Sequence, residues 1–282
     1  QSRVHSLLAC KALSAAAGSP GVWDAVTFRD LDATAVDFAA RHRCARVTVR
    51  SDSPDDMAWF LHALADRGVY DCLRWLHLDI LPTQRVPDEL LAAVVRHRAL
   101  RTLRVSIADV EQGCELSFPR YTHLPDLKTL RIEELVTAGD TQMVVVWFGA
   151  ARLPALRGVH LDVALSDVMA AAGGMPALRH LVYRSFDDDG GDSYEDARLA
   201  GCELDHLEID VSWDADVRRL CRQLQRAAVH TLVLHVATES LDLTRELSPE
   251  LHTLVLDFAT EQAEVALDFP FFRASRLRRL ET

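Results

Sequence analysis

Apolar residues recur along this chain at relative positions 0, 3 and 5. The pattern reads Leu73/Leu76/Leu78, Leu100/Leu103/Val105, Leu127/Leu130/Ile132, Leu156/Val159/Leu161, Leu178/Leu181/Tyr183, Leu204/Leu207/Ile209, Val229/Leu232/Leu234 and Leu251/Leu254/Leu256. A weaker early copy is Cys44/Val47/Val49, and a truncated last one is Leu277/Leu280. Successive copies start 22 to 29 residues apart. Residues two apart on a strand share a face. Each copy therefore predicts a short strand with Leu76 and Leu78, or their equivalents, on one face. Trp75, His77 and Asp79, or theirs, lie on the other, while Leu73 tucks under the strand at the turn. Between the strands, helical apolar spacing predicts return helices over 30–43, 55–67, 87–98, 141–152, 166–172 and 214–227. Pro54 and Pro87 suit first turns, and Asp55, Asp56, Asp88 and Glu89 favour the dipole there. Residues 108–121 read as an extended return, and 241–249 and 261–272 as irregular ones.

A period in the twenties with this spacing resembles the leucine-rich repeat, in which each unit adds one parallel strand to a horseshoe. One unit cannot bury its own apolar face, so neighbours must stack before a core exists. The resemblance implies an α/β leucine-rich-repeat solenoid, an irregular horseshoe of about nine repeats over 29–282. The chain departs from the family where Asn or Cys normally bonds the turn after the strand. Leu81-Pro82, Ala108-Asp109 and Leu135-Val136 stand there instead. The alternative is an ordinary α/β domain with Leu-rich strands, which would not recur so evenly.

Residues 1–28 do not fit the repeat. Val4, Leu7, Leu8, Ala12 and Leu13 predict a short amphipathic helix, broken by Gly18-Ser19-Pro20-Gly21 and followed by Val22-Trp23. The run from Leu7 to Trp23 resembles the second half of an F-box, and Ala25-Val26-Thr27-Phe28 is similar to the segment that follows it there. The resemblance implies a helical cap over 1–28 that contacts a Skp-type adaptor through Leu7, Leu8, Leu13, Pro20 and Trp23. It also implies the substrate-receptor subunit of an SCF-type cullin–RING ubiquitin ligase, with catalysis in other subunits. The first half of the F-box, with its Leu-Pro start, is missing from this chain, which is expected to be a fragment. A plain cap shielding the first repeat's open edge accounts for the same residues.

Composition narrows the classes. The 282 residues are 49% hydrophobic, enough for a large core, and no apolar run approaches a membrane span of ~20 residues. No secretory leader opens the chain, so a cytoplasmic or nuclear place is expected. The formal net charge of −11 disfavours nucleic acid. Six scattered cysteines without C-x-x-C read as free thiols. Six of the ten residues 187–196 are acidic, but position 5 of an EF-hand loop begun at Asp187 is Gly191 and position 6 is Asp192, so the calcium pattern fails. That stretch reads as a solvated loop.

The outward strand positions form the expected binding face. Its candidate contacts are Trp75, His77, Arg104, Arg131, His160, His180, His206 and His235. Arg104 and Arg131 share a register and form a small basic spot suited to a carboxylate or phosphate. His180 and His206, with Glu208 and Asp210 near, are zinc-type ligands, but no spacing selects them and a polar binding face is the preferred reading. No nucleophile elbow, phosphate loop or H-E-x-x-H motif is present. The expectation is a non-catalytic protein-recognition module without cofactor or metal, its partners an adaptor and a protein substrate. A structural scaffold in a larger assembly is the alternative.

Overall fold

The structure is a computed structural model that describes residues 25–81, 87–108, 114–119, 122–135, 144–147, 151–165, 175–184, 202–211, 227–236, 240–243, 248, 250–258, 264–267 and 278–281. Fifteen strands and three α-helices are formed among these residues. In chain order they are β1 Ala25–Phe28, α1 Ala33–His42, β2 Arg46–Ser51, α2 Pro54–Asp66, β3 Trp75–Ile80, α3 Asp88–Val95 and β4 Thr102–Ala108. There follow β5 Cys114–Ser117, β6 Thr129–Leu135, β7 Val144–Trp147, β8 Gly158–Leu165, β9 His180–Arg184 and β10 Glu203–Val211. The last are β11 Ala228–Val236, β12 Ser240–Leu243, β13 Thr253–Phe258, β14 Glu264–Leu267 and β15 Arg279–Glu281.

The fold is α/β, and its main sheet is parallel throughout the described residues. The strands run β1-β2-β3-β4-β6-β8-β9-β10-β11-β13-β15, each added beside the one before. The order never reverses, so these strands leave no switch-point crevice of the kind that binds ligands in doubly wound sheets. Val47, Leu76, Leu103, Leu130, Val159, Leu181, Leu207, Leu232, Leu254 and Leu280 are register partners in one line from β2 to β15. From Val47 to Leu254 every member is buried, as the alternation predicts. One irregularity interrupts the ladder: between β8 and β9 the register slips after Leu161, so Ala164 rather than Asp162 faces Arg184.

Residues 25–28, read from sequence as the end of the cap, instead open the sheet. Val26 and Phe28 alternate inward, and β1 pairs with β2 along its length. Phe28 meets Phe60 at a ring-centroid distance of 5.2 Å and Phe38 at 6.3 Å, which ties β1 to the first two helices. Residues 1–24, and with them the F-box-like segment, lie outside the described residues.

The three helices fall within or beside their predicted spans because their ends are specified locally. Asp32 accepts from the Ala35 amide at 2.8 Å and caps α1. Ser53 caps α2, with Pro54 in the first turn followed by Asp55 and Asp56. Gly68, at φ 83°, turns the chain out beyond α2. Helix α3 stops at Val95, short of residue 98, and buried His97 then donates from Nε2 to the Leu61 carbonyl at 3.1 Å. Val36, Phe38, Phe60, Leu61, Leu64, Leu90, Leu91 and Val94 share one core with the sheet's apolar face.

Later returns differ from the sequence reading. Within the helix expected over 141–152, residues 144–147 form β7 instead, which pairs with β5 and, through Val145 and Val146, with the end of β8. Val144-Val145-Val146-Trp147 is β-branched and aromatic, a composition stiff at χ1 and suited to a strand once an edge is there to pair with. The irregular returns 241–249 and 261–272 contain β12 and β14, which pair parallel as a second, two-stranded sheet. The expected helix 166–172 lies outside the described residues, as does nearly all of 214–227. Cys44, Cys72 and Cys202 are free thiols, and burial raises the pKa of the last two. No described helix is long and apolar enough to cross a membrane.

Candidate binding face

The core takes up one face of the main strands from β2 to β13, which leaves the other to carry polar side chains. Its side chains form cross-strand rows. One row runs Ala25, Arg46, Trp75, Thr102, Thr129, Gly158, His180, His206, Thr231, Thr253. The next runs Thr27, Thr48, His77, Arg104, Arg131, His160, Val182, Glu208. All eight residues expected on the face are on it, with Trp75, His77, Arg104, His160, His206 and His235 half-buried and Arg131 and His180 exposed. The adaptor-side residues Leu7, Leu8, Leu13, Pro20 and Trp23 lie outside the described residues.

The N-terminal half of the face is an ionic network. Arg104 donates to Oε2 of Glu133 from Nη2 at 2.6 Å and from Nε at 3.1 Å. Nε of Arg131 contacts the other oxygen, Oε1. The basic spot predicted from Arg104 and Arg131 is therefore already occupied, and the carboxylate that fills it is the chain's own. Glu133 is only 6% exposed, and the two guanidiniums offset the cost of burying its carboxylate. Ser106 lies between this cluster and His77, whose Nε2 is 3.0 Å from Ser106 Oγ. Burial, then the positive charge of Arg104, lower the His77 pKa, with Asp79 opposing. Asp79 itself pairs with Arg50 at 3.3 Å. Trp75 packs edge-on against His77 at 5.9 Å.

The Ser106–His77 contact has the distance of a nucleophile and its base. Glu133 meets the serine rather than the imidazole, and Ser106 is 3% exposed. Among the described residues no carboxylate is hydrogen-bonded to the His77 ring in the way that orients the base of a catalytic triad.

The C-terminal half is a histidine–carboxylate chain running diagonally across three strands. His206 Nε2 lies 3.2 Å from Glu208 Oε2, His235 Nε2 lies 3.1 Å from Glu208 Oε1, and His235 Nδ1 lies 3.0 Å from Asp257. The rings of His180 and His206 are 6.2 Å apart. Burial alone would raise the Glu208 pKa, but hydrogen bonds from His206 and His235 outweigh it and hold the carboxyl below its usual range. Of the zinc-type set considered in sequence, His180, His206, Glu208 and Asp210, the structure joins His206 to Glu208 by a hydrogen bond. The Asp210 side chain falls outside the described residues. Among those residues no three His, Cys, Asp or Glu side chains are grouped to hold a metal ion.

Sequence reasoning passed over a second feature. At relative position 1 of successive copies stand Arg74, Arg101, Lys128, Arg157 and Arg179. They form a row where the strands begin, and the signal was available in the same alignment of copies that located the leucines.

No protein-family model matches the chain, and no curated protein matches it.

Proposed function

We propose that the chain is a leucine-rich-repeat recognition module whose protein partner lies across the polar face of the sheet. The observation that carries this is the line of apolar register partners from Val47 to Leu254, which leaves the opposite, mainly polar face of the same strands, Trp75 among its residues, open to a partner. Stacked repeats commonly bind through such a surface. Together with the F-box resemblance of residues 7–23, this supports a substrate receptor of an SCF-type ubiquitin ligase. That receptor works in the cytoplasm or nucleus, grips a Skp-type adaptor through its N-terminal part, and leaves catalysis to other subunits.

The test is a pull-down from cells with the full-length protein. The variant Trp75→Ala/Arg104→Gln/Arg131→Gln/Glu133→Gln removes the face anchors together with the carboxylate that unpaired cations would orphan. A receptor recovers the adaptor in both forms and loses its substrate in the variant. Failure of the wild type to recover an adaptor overturns the ligase role and leaves the scaffold. An adaptor with an unchanged substrate set removes the face from the proposal.

A further inference from the structure

Where the main sheet's strands begin, the backbone runs as a second ladder. The Ala45 carbonyl accepts from the amides of Arg74 and Trp75, the Arg74 carbonyl from Arg101 and Thr102, the Arg101 carbonyl from Lys128 and Thr129, and the Lys128 carbonyl from Arg157 and Gly158. All these bonds are 2.8–3.1 Å long. Four cationic residues, Arg74, Arg101, Lys128 and Arg157, are thereby fixed at strand spacing along one rim. All four are exposed. Their side chains have no hydrogen-bond or ion-pair partner among the described residues, unlike Arg43, Arg50, Arg67, Arg96, Arg104 and Arg131. The row has two ends. Ala45 precedes it, and beyond it Arg179 is held by Glu203 at 3.3 Å and Asp205 reverses the charge.

We propose that this rim docks an extended acidic segment of a protein partner. In a chain of net charge −11, four aligned cations without partners among the described residues concentrate a positive field along this rim. The rim carbonyls already accept two amides each, so recognition falls to the side chains. Three strand intervals of ~4.8 Å give a rim of about 14 Å, which matches some four or five residues of an extended chain at ~3.3 Å each. Glutamates or aspartates on one side of such a chain can each reach a guanidinium or the ammonium, and guanidinium–carboxylate pairing is the stronger, two-pronged kind. Exposed Tyr70 lies beside the rim, its carbonyl facing the Ala99 amide at 3.5 Å, and adds a residue type common in protein–protein hot spots. A nucleic acid fits less well. Its binding strength grows with the number of phosphates neutralised, and four cations in single file within an acidic molecule neutralise few.

The inference does not depend on the ligase reading. The rim residues are separate from the Trp75 face tested above, so either can fail alone. The experiment is fluorescence anisotropy with the full chain and a labelled peptide of alternating glycine and glutamate. A labelled oligothymidylate of equal length is the comparator. The rim variant Arg74→Gln/Arg101→Gln/Lys128→Gln/Arg157→Gln is set against a control of equal charge change, Arg43→Gln/Arg50→Gln/Arg67→Gln/Arg96→Gln. The wild type should bind the peptide, weakening about tenfold on a severalfold rise in salt. The rim variant should bind at least about tenfold less tightly with an unchanged unfolding midpoint, while the control stays near wild type. Equal losses in the two variants, no peptide binding by the wild type, or tighter binding of the oligothymidylate would each overturn the proposal.

Discussion

Arg104 and Glu133 stand on neighbouring strands and are joined by two hydrogen bonds to a single carboxylate oxygen, at 2.6 and 3.1 Å. The arginine is 40% exposed at its side chain and the glutamate 8%. Truncating the arginine therefore leaves a nearly buried carboxylate with Arg131 as its remaining cation and Ser106 at 3.5 Å. Arg104→Ala should cost about 1–3 kcal/mol in urea unfolding, most of it from the orphaned acid. Arg104→Ala made on a Glu133→Gln background should cost clearly less. Additive losses in that double-mutant cycle would mean the two residues are not coupled.

The leucine line makes a second prediction. Leu103 and Leu232 are both fully buried at the same relative position, on β4 and β11. Leu103→Ala and Leu232→Ala should each lower stability by roughly 2–5 kcal/mol, through lost burial and the cavity left behind. Exposed Arg98 is a fair comparison, and Arg98→Ala should stay within about 0.5 kcal/mol of wild type. A loss at Leu232 no larger than at Arg98 would contradict the ladder.

Strand positions were legible in the sequence because the period-two alternation is enforced by burial on one face, and a slip of one residue would expose every leucine. The start of the second helix was legible to within a residue through Pro54, whereas the first begins at Ala33, after its Asp32 cap, and not at residue 30. The later returns were not legible. Whether residues 144–147 coil or extend depends on an edge supplied by β5, far away in sequence. The charge state of the face was likewise hidden. Arg104 and Arg131 read as a vacant basic spot, and only the fold shows Glu133 held beneath them. The rim cations were visible all along at position 1, but they acquired meaning once the strand-start ladder fixed their spacing and their lack of partners.

Glu208 gives a third prediction, concerning titration. His206 and His235 both bond its carboxylate and keep its pKa low against the effect of burial. Replacing His235 by Asn should move the Glu208 pKa upward in a carbon-13 NMR titration of the carboxyl groups. In stability terms a depressed carboxyl contributes above its unfolded pKa, and the contribution is lost as pH falls through the folded value. The variant should therefore lose that contribution at a higher pH than wild type. An unmoved Glu208 resonance would leave the low pKa without its stated cause.

His97 should make the fold sensitive to mild acid. It is fully buried after α3, with Nε2 donating to the Leu61 carbonyl and Nδ1 unpartnered among the described residues. Burial lowers its pKa from 6.5 to about 4, although the Leu61 hydrogen bond opposes the shift. Between those two values the unfolded chain holds a proton that the folded chain refuses. Stability must then rise with pH across the window, be complete above about 6.5, and drain away as pH falls toward 4. A shift of that size corresponds to about 3 kcal/mol. Substitution by glutamine retains a donor that can reach toward Leu61 and removes the titrating group. Urea unfolding of wild type and His97→Gln at several pH values between 7 and 4 isolates the effect, since the other titrating groups are common to both. The difference in unfolding free energy should shift in favour of the variant as the medium is acidified. Parallel profiles for the two proteins over that range would show that His97 is not the acid-sensitive group.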